Sequence, residues 1–228
     1  GDAQPAREKW VVVVPEEQIA SANSLSAWGV KALIGTPEAH QVAMALRQAP
    51  EGVDRVLRPN EQVFTAQDPV KSDTGQLFHT PAAGYCTIDS PRTQAAMGFL
   101  GEAGQLSLSG LTLFCKTDFA TVAASSLTEE PLEASRRVLV TAVGRVENTG
   151  TRYDVTHRRL VNSGKAPILC EPVTGRVSLK TSVRGLKVYP LTPDGKRREA
   201  LPARWDKGTV TFELGPAARS IYYELVAE

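Results

Sequence analysis

The sequence predicts a mainly β protein: a two-sheet antiparallel β-sandwich, jelly-roll-like in its connections, with a small α/β patch at the N-terminus. Three observations lead there. From Gln62 onward the chain breaks into short β-branched and aromatic runs punctuated by Gly, Pro, Asp and Ser, the pattern of a sandwich or barrel. Thr209–Leu214 alternates strictly, with Val210, Phe212 and Leu214 on one face and Thr209, Thr211 and Glu213 on the other, as a strand with one covered face requires. Helical spacing is convincing in only one stretch, Glu38–Ala49. The expected organisation is residues 1–60 as an α/β segment or connection to a domain further upstream, and residues 61–228 as the sandwich.

Taken in order, Val11–Val14 is a β-branched run stopped by Pro15, which has no N–H to offer a neighbour. In Glu38–Ala49, Thr36 is placed to cap and Pro37 suits the first turn. Val42, Ala43, Ala45, Leu46 and Ala49 then fall on one face, and Pro50 ends the helix. The expected strands that follow are Gln62–Thr65, Gly84–Asp89, Gln94–Leu100, Leu111–Cys115, Ala120–Ser125, Arg137–Val143, Ile168–Glu171, Arg176–Thr181, Leu186–Leu191, Thr209–Leu214 and Ser220–Val226. Arg137–Val143 is apolar on both faces except at Thr141, so it belongs in the middle of a sheet. TPDGK after Leu191 and WDKGT before Thr209 place Asp and Gly where the chain must reverse. The polar stretch from Val146 to Pro167, containing TRYDVTHRR, reads as a long loop, the kind of segment in which binding residues concentrate.

Composition excludes several function classes. Lys and Arg number 26 against 25 Asp and Glu, and no run of one sign supplies the basic stripe that a phosphate backbone needs, so nucleic acid is not an expected partner. The longest apolar run, Trp10–Val14, is far short of the roughly 20 residues of a membrane span, and no membrane partner is expected. The chain opens on Gly1 and a polar stretch, and it reads as a domain excised from a longer protein. Cys86, Cys115 and Cys170 each sit in an apolar β-like segment with no metal-ligand spacing. Buried free thiols are the reading, with a Cys86–Cys115 bridge as the alternative. No metal or cofactor is expected.

Candidate chemistry is sparse. Asp73-Thr74-Gly75 matches the turn that carries an aspartic protease carboxylate. That reaction needs two such carboxylates sharing a proton, and the sequence has no second copy. His40, His79 and His157 stand apart from one another and from any cysteine, which suggests neither a zinc site nor a catalytic triad. Glu129 and Glu130 are adjacent, and a glycosidase needs its two carboxyl groups on opposite sides of a sugar ring. Sugar rings stack on aromatic faces, which makes Tyr153 in the long loop and Trp205 in the C-terminal hairpin the candidate binding residues. Asp73 and Arg92 form a candidate pair pinning two loops together.

Three segments carry a resemblance: VKSDTGQLFHTPAAGYCTIDSPRTQAAMGFLG from Val70, SSLTEEPLEASRRVLVTAVGRVENTG from Ser125, and PILCEPVTGRVSLK from Pro167, with LKVYPLTPDGKRRE further on. In content and order they resemble the C-terminal β-rich accessory region of large bacterial glycoside-hydrolase-like proteins, over about residues 69–200. Departures are SDTGQ for SDTGE, SPRTQ for DTPRTQ, and Thr128-Glu129 where Asp-Gly is usual, which demands a different turn backbone. The resemblance implies a non-catalytic accessory domain that packs on or flanks an upstream catalytic domain of the same polypeptide. The catalytic carboxylates would lie on that domain, and the parent would work outside the cytoplasm. The rival expectation is an autonomous carbohydrate-binding module that grips oligosaccharide with Tyr153 and Trp205.

Overall fold

The computed structural model describes residues 10–14, 31–34, 55–57, 70–72 and 74–227. The chain divides into two compact units between Thr74 and Gly75. In the first, β1 (Trp10–Val14), β2 (Lys31–Ile34) and β3 (Arg55–Leu57) form a parallel sheet in the order β2-β1-β3. Parallel neighbours need a return of about a dozen residues or more between them, and stretches 15–30 and 35–54 separate these strands. The helix expected at Glu38–Ala49 and the strand expected at Gln62–Thr65 lie outside the described residues. Among the described residues, the two-residue β4 (Val70–Lys71) is the last strand of this unit.

The second unit is an antiparallel two-sheet sandwich, as the alternation predicts. Its strands are β5 (Leu77–Thr80), β6 (Tyr85–Asp89), β7 (Thr93–Gly98), β8 (Gln105–Ser107), β9 (Leu111–Cys115), β10 (Ala120–Ser126) and β11 (Arg137–Val143). They continue with β12 (Val146–Tyr153), β13 (Leu160–Cys170), β14 (Gly175–Lys180), β15 (Leu186–Pro190), β16 (Arg204–Asp206), β17 (Thr209–Leu214) and β18 (Tyr222–Ala227). The larger sheet runs β15-β18-β11-β10-β7-β6-β5 and the smaller β16-β17-β14-β9-β8.

The core lies between these sheets. The smaller sheet contributes Leu111, Leu113, Val177, Leu179, Val210 and Phe212, at every second position. The larger answers with Ala96, Val122, Ala124, Val138, Val140, Ala142, Tyr223 and Leu225. Alanines on one sheet facing leucines and Phe212 on the other let side chains of unequal size interdigitate at constant sheet separation. Phe212 and Tyr223 meet across the gap with ring centroids 5.8 Å apart. β11 lies between β10 and β18, the central position its two-sided apolar pattern demands.

The stretch Val146–Pro167 differs from expectation. It is not a loop: β12 and β13 pair as a separate two-stranded ribbon, with register shifts at Asn148/Thr149 and Arg152/Tyr153. Nearly every residue of the ribbon is exposed. With both faces in water, no apolar alternation marks the strands in the sequence, which is why composition reads as loop. The ribbon also corrects the thiol expectation. All three cysteines are free, but Cys170 at the foot of β13 is exposed and only Cys115 is buried. Cys115 donates to the Thr117 carbonyl at 3.4 Å, and burial pushes its thiol pKa up.

Candidate functional site

The sandwich has two dissimilar ends. At the first, the entry end, the chain arrives from Gly75: the Asp89 N–H donates to the Gln76 carbonyl at 2.8 Å. The loops here are 89–93, 107–111 and 126–136. At the opposite end lie Phe99, Lys116–Phe119 and the foot of the ribbon at Gly144 and Glu171, whose positions follow from the pairings of Gly98 with Ala120 and of Gly175 with Cys115.

Two of the segments that carry the resemblance converge on the entry end. The Ser126 N–H donates to the Arg92 carbonyl and the Leu132 N–H to the Pro91 carbonyl, both at 2.8 Å. Arg92 crosses the same gap with its side chain. Nη2 donates to the Thr128 carbonyl at 2.6 Å and Nη1 to the Glu129 carboxylate at 3.0 Å. Only 26% of the Arg92 side chain is exposed, against 94% for Glu129, so the carbonyl bond is the sheltered member and the ion pair is open to solvent screening. Beneath it, Thr128 and Ser135 hydroxyls meet at 3.0 Å, and Ser135 donates to the Arg137 carbonyl at 2.7 Å. The Thr128 hydroxyl also holds the neighbouring Glu130 carboxyl below its ordinary pKa.

A second network joins the two sheets at this end. Ser109 donates its hydroxyl to Asp89 at 2.5 Å and its N–H to the other carboxylate oxygen at 3.0 Å. Gln94, buried within β7, donates to the Ser109 hydroxyl at 2.6 Å and accepts from the Gly110 N–H at 2.9 Å. A buried amide so completely partnered fixes the β8–β9 turn against the larger sheet without an orphaned polar atom. Sequence reading did not single out Asp89, Gln94 or Ser109. The signal was present as a glutamine standing in an alanine-rich strand, QAAM.

The other sequence candidates fall in different places. Asp73 lies outside the described residues, so its pairing with Arg92 does too. Trp205, on the edge strand β16 opposite Val210, is 38% exposed. It borders a shallow open groove with Leu186, Lys187, Leu201 and Ala203, along the seam where β15 and β16 approach. Apart from the indole N–H, Lys187 is the one polar side chain in its lining. Tyr153 is at the end of β12, on the ribbon at the opposite end of the sandwich. The structure therefore does not bring Tyr153 and Trp205 into one binding face.

Sequence reading also passed over a charged cluster on the outer face of the larger sheet. Glu224 in β18 accepts from Arg137 Nε at 2.5 Å and from Arg197 Nε at 2.6 Å, and Arg197 lies over the Tyr189 ring, 5.1 Å from its centroid. Among the described residues, no three His, Cys, Asp or Glu side chains are grouped so as to hold a metal ion. No family model, curated protein or solved structure matches the chain.

Proposed function

We propose that this chain carries a non-catalytic accessory β-sandwich of an exported, glycoside-hydrolase-like protein. The sandwich docks through its entry end on a catalytic domain of the same polypeptide. The observation that carries this reading is the Arg92 clamp. One largely buried guanidinium ties the Ser90–Gln94 turn to the Ser126–Leu132 loop, and each of these lies within a segment that carries the resemblance. Loops already fixed by internal hydrogen bonds lose little further freedom on association, which favours a docking face. Their hydroxyls bond one another and backbone carbonyls, an arrangement suited to rigidity more than to activating a nucleophile, which needs a neighbouring base.

The test compares amide exchange in this chain with exchange in a longer polypeptide that includes the catalytic domain. Loops 89–93 and 126–136 gain protection in the longer protein, and Arg92→Ala removes that gain while leaving the β10 and β11 amides protected. Identical exchange of these loops in both proteins overturns the reading.

A further inference from the structure

The ribbon at the far end carries a basic, aromatic tip that the docking role leaves unused. A two-stranded ribbon alone in water is marginal, yet this tip is tightly organised. The Asp154 N–H donates to the Arg159 carbonyl at 2.9 Å, and the His157 N–H to the Asp154 carbonyl at 3.0 Å. The Asp154 carboxylate accepts the Thr156 hydroxyl at 2.9 and 3.0 Å, the Arg158 N–H at 3.1 Å and the Arg159 N–H at 3.3 Å. His157 adopts a left-handed backbone, φ 55°, and its ring stacks on Tyr153 with centroids 5.9 Å apart and planes 23° from parallel.

This internal bonding matters for charge. Asp154 is the one carboxylate between Arg152 and Arg159, and it is committed to the turn's own hydroxyl and backbone N–H groups. Among the described residues, the guanidinium groups of Arg152, Arg158 and Arg159 enter no ion pair. Two exposed guanidinium groups, Arg158 and Arg159, thus share one ordered turn with a stacked aromatic pair, and a third, Arg152, stands just before it in β12.

We propose that this tip binds the carboxylate-bearing sugar units of an acidic polysaccharide, an inference that rests on the carbohydrate-active reading above. A guanidinium matches a planar carboxylate with two parallel hydrogen bonds, and an ammonium does not. The Tyr153 ring, 42% exposed and stacked on one side by His157, is an aromatic group of the kind that covers the C–H face of a pyranose ring. A nucleic acid fits less well, because the basic groups are confined to one turn and the whole chain is nearly neutral, at +1. An anionic bilayer would use the same guanidinium groups but not the ordered Tyr153–His157 pair. The apolar share of the tip is Val155, 99% exposed, with half-exposed Leu160 and Val161 beside it; insertion gains strength with the apolar area buried, so phosphatidylserine vesicles are the rival that the experiment must separate.

The experiment is affinity electrophoresis of the chain through gels containing polygalacturonate or a neutral glucan. Duplex DNA and phosphatidylserine vesicles are tested in parallel by co-sedimentation. Polygalacturonate retards the chain and the neutral glucan does not. Arg158→Ala with Arg159→Ala, and separately Tyr153→Ala, weaken retardation by about tenfold or more. Asp154→Ala is the decisive variant, because it makes the tip more positive while releasing the turn: retardation falls if an ordered site is at work and rises if bulk charge is. Unchanged far-ultraviolet circular dichroism shows that each variant keeps the sandwich.

The proposal is overturned if polygalacturonate does not retard the chain, or if Asp154→Ala or Tyr153→Ala binds as tightly as the parent. It is also overturned if DNA or vesicles bind equally well and lose binding in the same variants. The exchange experiment on loops 89–93 and 126–136 reads the opposite end of the sandwich. A failure at the tip is therefore distinguishable from a failure of the docking reading.

Discussion

Glu224 stands in the middle of YYELVA with only 4% of its side chain exposed. A carboxylate there would be costly if alone, and two arginines reach it. Burial acts to raise its pKa, but the hydrogen bonds from Arg197 and Arg137 outweigh that effect and hold the carboxyl below its ordinary value. The sign of the linkage follows from this depression. The contribution to stability is fully present above the unfolded carboxyl's pKa and is lost as pH falls through the lower folded value. Because both arginines remain about half exposed, solvent moderates the pairing. Glu224→Gln should therefore cost about 1–2 kcal/mol near pH 7. That deficit should shrink between about pH 5 and pH 2, as the parent carboxyl is itself neutralised. Urea unfolding midpoints of both proteins across that range check the prediction; a deficit independent of pH contradicts it.

Individual strands depend on positions where a side chain has no room. Gly98, the last residue of β7, has φ +125°, and a Cβ placed there would sit 2.3 Å from the Gly84 carbonyl oxygen and 2.7 Å from the Tyr85 Cα. Both obstacles are backbone, at the first residue of the adjacent β6 and the residue just before it, so neither can swing aside. Gly98→Ala should destabilise the sandwich by about 3 kcal/mol or more, combining a disfavoured backbone with steric displacement of a paired strand. Gly104, also at positive φ but with open space around it, provides the control: Gly104→Ala carries only the backbone penalty, about 1 kcal/mol. Chemical denaturation of the two variants distinguishes them, and equal losses would mean that the close approach to β6 is not the cause.

At the scale of the whole sandwich, stability resides between the sheets. Phe212 is buried in β17 against Tyr223, whereas Phe114 on β9, two strands away in the same smaller sheet, points outward and is partly exposed. Phe212→Ala should cost about 3–5 kcal/mol, from lost transfer energy and the cavity left behind. Phe114→Ala should cost less than about 1 kcal/mol. Guanidinium titrations of the two variants test this. Comparable losses would place the core elsewhere than between the sheets.

The sequence by itself determined the fold class, the central position of β11, the half-covered β17 and the reversals in TPDGK and WDKGT. Each is written in local alternation or turn chemistry, which neighbouring residues carry. The short strands β5, β8 and β16 were not legible, nor was the solvated ribbon β12–β13 except at its foot, where Ile168–Glu171 was expected as a strand, because strands with little or no covered face leave no apolar period. The candidate sites were legible only as residue types. Tyr153 and Trp205 were visible as aromatics, but the pairing of strands sends them to opposite ends of the sandwich. Arg92 was visible as a polar residue beside Pro91, while its partners Thr128 and Glu129 lie more than thirty residues along the chain. The Asp89–Gln94–Ser109 network and the Glu224 cluster likewise join strands distant in sequence. Tertiary structure decided all of these, because a hydrogen bond or ion pair depends on distance in space, and no local pattern encodes which distant strands come to lie side by side.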